Sequence, residues 1–302
     1  MTGAATRRRG GALRALVSSP TGITSLVVLA LIIGLAVIGP PIWGEKATTT
    51  DFGAILRESS NQHPLGTDGA GRDILARTLV GTRLSLVLAS VATGIAALTG
   101  LVLGSLLVTI GGRVQRAGMT VIDTWLGFPS ILLSVLVIAV LEPGGLAAAV
   151  AVGLSFAPFF ARLTVTSTAG VVDLDYVVAA RLLGLPRRRI AIRYVLSSVS
   201  DSLVVAVFSM FSQCLIAVSA LSFLGLGVQA EVGAAELSNI DWGRMLNDSI
   251  GDFRQRPAGT LGPAVAIAVC GLAFAWFGDA LGRALNPQLR GVRRLSRREV
   301  VA

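Results

Sequence analysis

Six stretches of at least eighteen residues carry no charge: 15–44, 84–112, 124–141, 143–161, 202–230 and 257–278. A helix needs about 20 apolar residues, at about 1.5 Å each, to cross a hydrocarbon core roughly 30 Å thick. Lipid offers no hydrogen bonds to the backbone, so only helices and closed barrels can span it. Each run reads as one helix, which predicts an all-α membrane protein with six spans. Composition agrees, since 53% of the 302 residues are hydrophobic and only 14% charged, against about a quarter charged in soluble domains.

Arginine placement orients the bundle. With the N-terminus inside, 18 of the 26 basic residues fall on the cytoplasmic side, and the external segments carry a net charge of −3. The positive-inside rule then puts both termini in the cytoplasm. A formal charge of +9 would point to nucleic acid in a soluble chain, but topology accounts for it here. The first run is about twice the length of a signal h-region and shows no small-x-small cleavage site before Pro40, Pro41 and Trp43, so it reads as a retained anchor. Cys214 and Cys270 lie within spans and read as small packing residues.

The chain divides into a cytoplasmic segment 1–22, an anchor helix 23–43, an external loop and amphipathic segment 44–83, a core 84–285 and a basic tail 286–302. Within the core lie a polar internal loop, 170–198, and an external loop, 227–256. Pro129 and Pro158 interrupt the helical ladder, while Gly94, Gly100 and Gly104 permit close helix approach. Ser209, Ser212, Gln213 and Ser219 share roughly a third of the circumference of the fifth span. Polar groups are costly against lipid, so this face is a candidate translocation path, with interhelical hydrogen bonding as the competing reading.

The internal loop contains DYVVAARLLGLPRRRIAIRYVLSS at 175–198. Its first nine residues read as a short helix, Gly184 supplies a left-handed stop, and Pro186 suits the first turn of a second helix running to Leu196. The corner is expected to expose Leu185 beside Arg187, Arg188 and Arg189, an apolar knob in a basic rim suited to protein docking.

Ala179, Ala180 and Gly184 stand where the membrane subunits of ATP-binding-cassette importers carry Ala-Ala-x-x-x-Gly. HPLGTDGAGRDILAR at 63–77, Phe128-Pro129 after Asp123, LSFLGLG at 221–227, WGRML at 242–246 and FGDALGRALNPQL at 277–289 occur in order. Together these blocks resemble the dipeptide/oligopeptide permease family, specifically its second membrane subunit. The resemblance implies a type I ABC importer permease fold with a cytoplasmic coupling-helix hairpin. Its ATPase contacts would be Ala179, Ala180, Arg181, Gly184, Leu185, Pro186, Arg187 and Arg188. It also implies a homologous second permease in a heterodimer, two ATPase subunits holding ATP and Mg, and an extracytoplasmic binding protein. The external segment 231–252 carries a net −4, and Glu236, Asp241 and Trp242 are its candidate docking residues, with Trp242 as apolar anchor. The chain departs from the family at Val178, where Glu is frequent, and at 194–198, where the usual His-x-Leu-Pro-Asn is replaced.

The chain has few means of chemistry of its own. Its only lysine, Lys46, follows no phosphate-binding loop, so ATP hydrolysis falls to another polypeptide. The single histidine, His63, excludes histidine-pair metal ligation and is expected to order its turn with Thr67 and Asp68. No cofactor is expected on this chain. Asp123 and Asp279 near the inner ends of spans read as interfacial ion-pair partners of Arg113, Arg116 or Arg283. A secondary transporter would show inverted repeats and a midplane acid, and a cofactor-bearing structural subunit would show histidine pairs; neither signature is evident. Peptides are the expected substrate, with nickel complexes or glutathione-like peptides as the alternative.

Overall fold

The computed structural model describes residues 16–172, 174–190, 197–229 and 236–285. Its first long helix, α1 (Pro20–Thr48), starts where the Ser19 hydroxyl accepts the Gly22 amide at 3.1 Å and Pro20 occupies the first turn. Ser25, Leu29, Ile32, Ala36 and Gly39 are buried along it at alternating spacings of four and three, the seam of a helix packed on a neighbour. Pro40 and Pro41 lie inside this helix, so the anchor runs beyond the expected boundary at residue 43. Each proline removes one amide donor, a loss that transmembrane helices tolerate through local readjustment and neighbouring groups.

The partner of that seam is α2 (Ile74–Ile110), capped by Asp73, whose Oδ1 accepts the Ala76 amide at 2.8 Å. The amphipathic segment and the second span are one helix of 37 residues. At about 1.5 Å per residue it is roughly 55 Å long and overshoots a bilayer core. Two glycines let α5 (Gly145–Val172) lie against it: a Cβ on Gly100 would meet the Ala157 carbonyl at 2.3 Å, and one on Gly104 the Ala161 carbonyl at 2.7 Å. Gly94, expected to act likewise, faces open space.

The expected third span is not one helix. The chain forms α3 (Gly112–Leu126) and α4 (Ser130–Leu141), bent 94° apart at Gly127–Pro129. Pro129 biases Phe128 out of the helical region and cannot donate to the preceding turn, which breaks the helix. Pro158, in contrast, sits within an unbroken α5. After the short helices α6 (Asp175–Leu182) and α7 (Arg187–Ile190) come α8 (Ser197–Phe223), α9 (Trp242–Ser249) and α10 (Pro257–Leu285). Among the described residues five helices are long and apolar enough to cross a membrane, and the bent pair makes a sixth if taken as one span. Among the described residues the only β contact is an isolated bridge between Thr67 and Asp73.

Among the described residues two large cores hold the bundle, with a smaller cluster of Leu16, Ala280 and Ala284 at one end. One joins α1, α2, α8, α9 and α10 around Leu29, Leu215, Trp242 and Phe274, with the Phe211 and Phe274 rings stacked at 3.7 Å between centroids. The other joins α2, α4, α5 and α8 around Ala92, Ile138, Val152, Phe160 and Leu221. Cys214 and Cys270 are buried, one in each core, as packing residues.

Candidate functional site

The α6–α7 hairpin is built on a helix stop. Gly184 adopts φ +76°, the Leu185 amide reaches back to the Ala180 carbonyl at 3.2 Å, and the Leu183 amide bonds the Ala179 carbonyl at 3.0 Å. This is a Schellman-type ending, in which the residue after the glycine folds back onto the last turn. Leu185 accordingly packs with Val177, Ala180 and Ile190 in a small core that Val171 at the end of α5 also joins. The expected exposed knob at Leu185 is therefore corrected: Leu182 and Leu183, 84% and 81% exposed, form the apolar tip. Pro186 directly precedes α7 and its carbonyl accepts the Arg189 and Ile190 amides. Ala179 is exposed and Ala180 buried. The side chains of Arg181, Arg187 and Arg188 lie outside the described residues, as does the stretch 191–196 of the expected second helix.

The polar face of α8 divides in two. Ser212 is buried and its hydroxyl donates to the Gly271 carbonyl of α10 at 2.6 Å, and Ser219 is buried as well. Ser209 and Gln213 are exposed on the neighbouring arc. Ser212 thus makes the competing interhelical bond, and Ser209 and Gln213 alone of the four face away from the chain's own core.

At the cap formed by the 49–73 loop and α9, two of the three expected docking residues are buried within the chain, which corrects those two expectations. Trp242 is 2% exposed: its indole Nε1 donates to the Thr78 carbonyl at 2.9 Å and its backbone amide to Ser85 Oγ at 3.0 Å. An indole buried with its N–H satisfied belongs to the core. Asp241 is buried too, capping α9 by accepting the Gly243 and Arg244 amides at 3.0 and 3.4 Å. Burial pushes its pKa up to about 6, against the opposing pull of the Arg244 and Gly243 amides, the Ser222 hydroxyl and the Arg244 charge. The Glu236 side chain lies outside the described residues. Acidity read along 231–252 did not distinguish a helix cap from a solvated carboxylate.

Two residues absent from the sequence expectations organise this cap. Buried Asp73 takes His63 Nδ1 at 2.9 Å and Lys46 Nζ at 3.3 Å on its Oδ2. Buried Arg77 reaches Asp68 at 3.5 Å, Asp248 at 3.9 Å and the Ala47 carbonyl at 3.4 Å, joining the end of α1, the loop and α9. His63 does order its turn, and its carboxylate partner is Asp73 in place of Asp68. The sequence signal was available: a helix-capping Asp followed four residues later by an Arg, at the start of an otherwise apolar helix. Near the other end of the bundle Asp123 pairs with Arg162 at 3.0 Å, an ion pair as expected but with a different arginine.

Apolar spans, a polar helical hairpin and a hydrogen-bonded cap define a multi-pass helical membrane subunit. Residues 77–291, well over half the chain, match the family described as the binding-protein-dependent transport system inner membrane component. The chain belongs to that family, and it is a permease subunit of an ATP-binding-cassette importer of the dipeptide/oligopeptide group. It is 29% identical over 279 residues to the dipeptide transport system permease protein DppC of Alkalihalophilus pseudofirmus, covering 92% of this chain and 90% of the relative. It is 34% identical to the glutathione transport system permease protein GsiD of Pectobacterium atrosepticum, covering 80% and 77%. To the nickel transport system permease protein NikC of Escherichia coli K12 it is 31% identical, covering 88% and 93%.

Proposed function

We propose that this permease imports dipeptides and short peptides across the cytoplasmic membrane by alternating access, with both termini and the α6–α7 hairpin in the cytoplasm. A homologous second permease, two ATPase subunits that supply all hydrolysis, and an extracytoplasmic binding protein complete the importer. The observation that carries the coupling role is the hairpin itself. Its small core packs against Val171 of α5 and so ties the hairpin to the bundle, and the exposed Leu182–Leu183 tip gives an ATPase an apolar purchase. A ligand-driven change in the ATPase can shift the bundle only through a contact that differs between its two states, which requires a tip that does not yield. Peptide is favoured as cargo because two of the three relatives described above are named for peptide substrates, a dipeptide and glutathione.

Reconstitution of the full complex in proteoliposomes tests this reading. Uptake of a labelled dipeptide should require ATP and the binding protein, and other short peptides should compete whereas nickel should not. Uptake driven by an ion gradient without ATP would overturn the mechanism, and competition by nickel would overturn the cargo.

A further inference from the structure

Helix α3 carries three faces. At about 100° per residue, Val114, Val121 and Trp125 fall within an arc of about 40°, and all three are exposed, Val121 at 63%. The next arc is packed: Ile122 is buried, and a Cβ on Gly118 would meet the Leu107 side chain of α2 at 2.4 Å. The surface opposite the stripe carries Arg113, Arg116, Thr120 and Asp123, all exposed, with Asp123 paired to Arg162 of α5. The apolar and polar faces are thus opposed, and the bundle lies to the side.

The direction of α3 is fixed at both ends. Gly111 and Gly112 turn the chain out of α2 with φ of +69° and +60°, and the break at Pro129 sets α3 at 94° to α4. The apolar α4 exposes Leu132, Leu136 and Val140. If α4 runs along the membrane normal, α3 lies in the membrane plane with one apolar face, one polar face and a tryptophan at the boundary. These are the marks of an interfacial helix. The Val114–Trp125 stripe lies about 60° round the helix from the packed Gly118 and Ile122, on surface that the chain's own bundle leaves uncovered. Arg113 and Arg116 lie about 100° or more round the helix from the stripe, on its polar side, where two positive charges complement an anionic leaflet.

We propose that α3 is an in-plane anchor that buries Val114, Val121 and Trp125 in the acyl boundary and holds anionic phospholipid headgroups with Arg113 and Arg116. The choice of leaflet rests on the cytoplasmic placement of the hairpin proposed above; the depth of each face does not. Nitroxide labels on Val121→Cys and Thr120→Cys in the reconstituted complex read that depth directly. In vesicles of phosphatidylcholine and phosphatidylglycerol, power saturation should find the residue-121 label several-fold more accessible to oxygen than to a nickel chelate, and the residue-120 label the reverse. Two labels shielded from both reagents would mean a protein partner covers the stripe, and a water-accessible residue 121 would mean that nothing does; either overturns the anchor. Uptake should fall several-fold in phosphatidylcholine alone, and Arg113→Gln/Arg116→Gln should remove that lipid dependence. Unchanged dependence in the double variant would overturn the headgroup contact. If the hairpin were external, the depth contrast would persist while side-specific labelling reversed, so the two failures are distinguishable.

Discussion

Asp241 illustrates how a side chain's role depends on what surrounds it. In the sequence it stands among acids in a polar segment; in the fold it closes the N-terminus of α9 between α2 and α8, where a solvated carboxylate has no room. Desolvation by burial raises its pKa from 3.8 to about 6. A carboxyl whose folded-state pKa lies above its unfolded value favours the fold fully below the unfolded pKa, and that contribution is lost as the pH climbs through the folded pKa. Asparagine caps helices as well as aspartate and carries no charge to desolvate. Asp241→Asn should therefore match or exceed the wild type in thermal stability at pH 7.5, by at most about 3 kcal/mol. The gain should vanish near pH 4, and melting curves of both proteins between these pH values provide the check. A wild type that is the more stable at pH 7.5 would show that the charged cap outweighs its desolvation.

At the scale of elements, the hairpin and the bent pair divide what the sequence made legible from what it did not. Gly184 and Pro186 marked a corner from residue type alone, because few other residues suit a left-handed stop followed by a new helix. Which leucine the corner exposes depended on the backward turn after the glycine, a tertiary consequence with a local rule. The same rule operates at the end of α8, where Gly225 has φ +78° and the Leu226 amide reaches the Leu221 carbonyl at 2.9 Å. Leu226, like Leu185, packs inward. An uncharged run such as 124–141 likewise carries no information about direction, so the right angle at Pro129 stayed hidden although the proline itself was noted. The hairpin assignment separates the two kinds of leucine. Leu182→Glu or Leu183→Glu should abolish copurification of the ATPase while leaving the permease inserted at normal abundance. Leu185→Glu should instead place a charge in the small core and raise proteolysis of the hairpin, because an unpaired buried charge is strongly destabilising. Equal ATPase recovery with all three variants would remove the tip from the contact.

For the whole molecule, span positions and arginine bias were readable because the bilayer imposes them on any chain, whereas packing details were not, since Gly94 and Gly100 look alike until a neighbour fills the space beside one of them. Orientation joins the two levels. The hairpin leads from α5 into α8 and the cap links α1 to α2, so opposite ends of the bundle present the Leu182–Leu183 tip and the Asp73–Arg77 network. The proposed cytoplasmic placement of the tip rests on arginine bias. Probing this requires cysteines at exposed positions. Ala47, near the C-terminal end of α1, has 0% exposure and would not react from either side, but Thr50 beyond it is exposed. In intact cells an impermeant maleimide should label Thr50→Cys and leave Leu183→Cys untouched until the membrane is opened. Cys214 and Cys270 are buried and should stay silent in both conditions. Labelling of Leu183→Cys in sealed cells would invert the bundle, move the tip to the side where no ATP is available, and remove the coupling role with it.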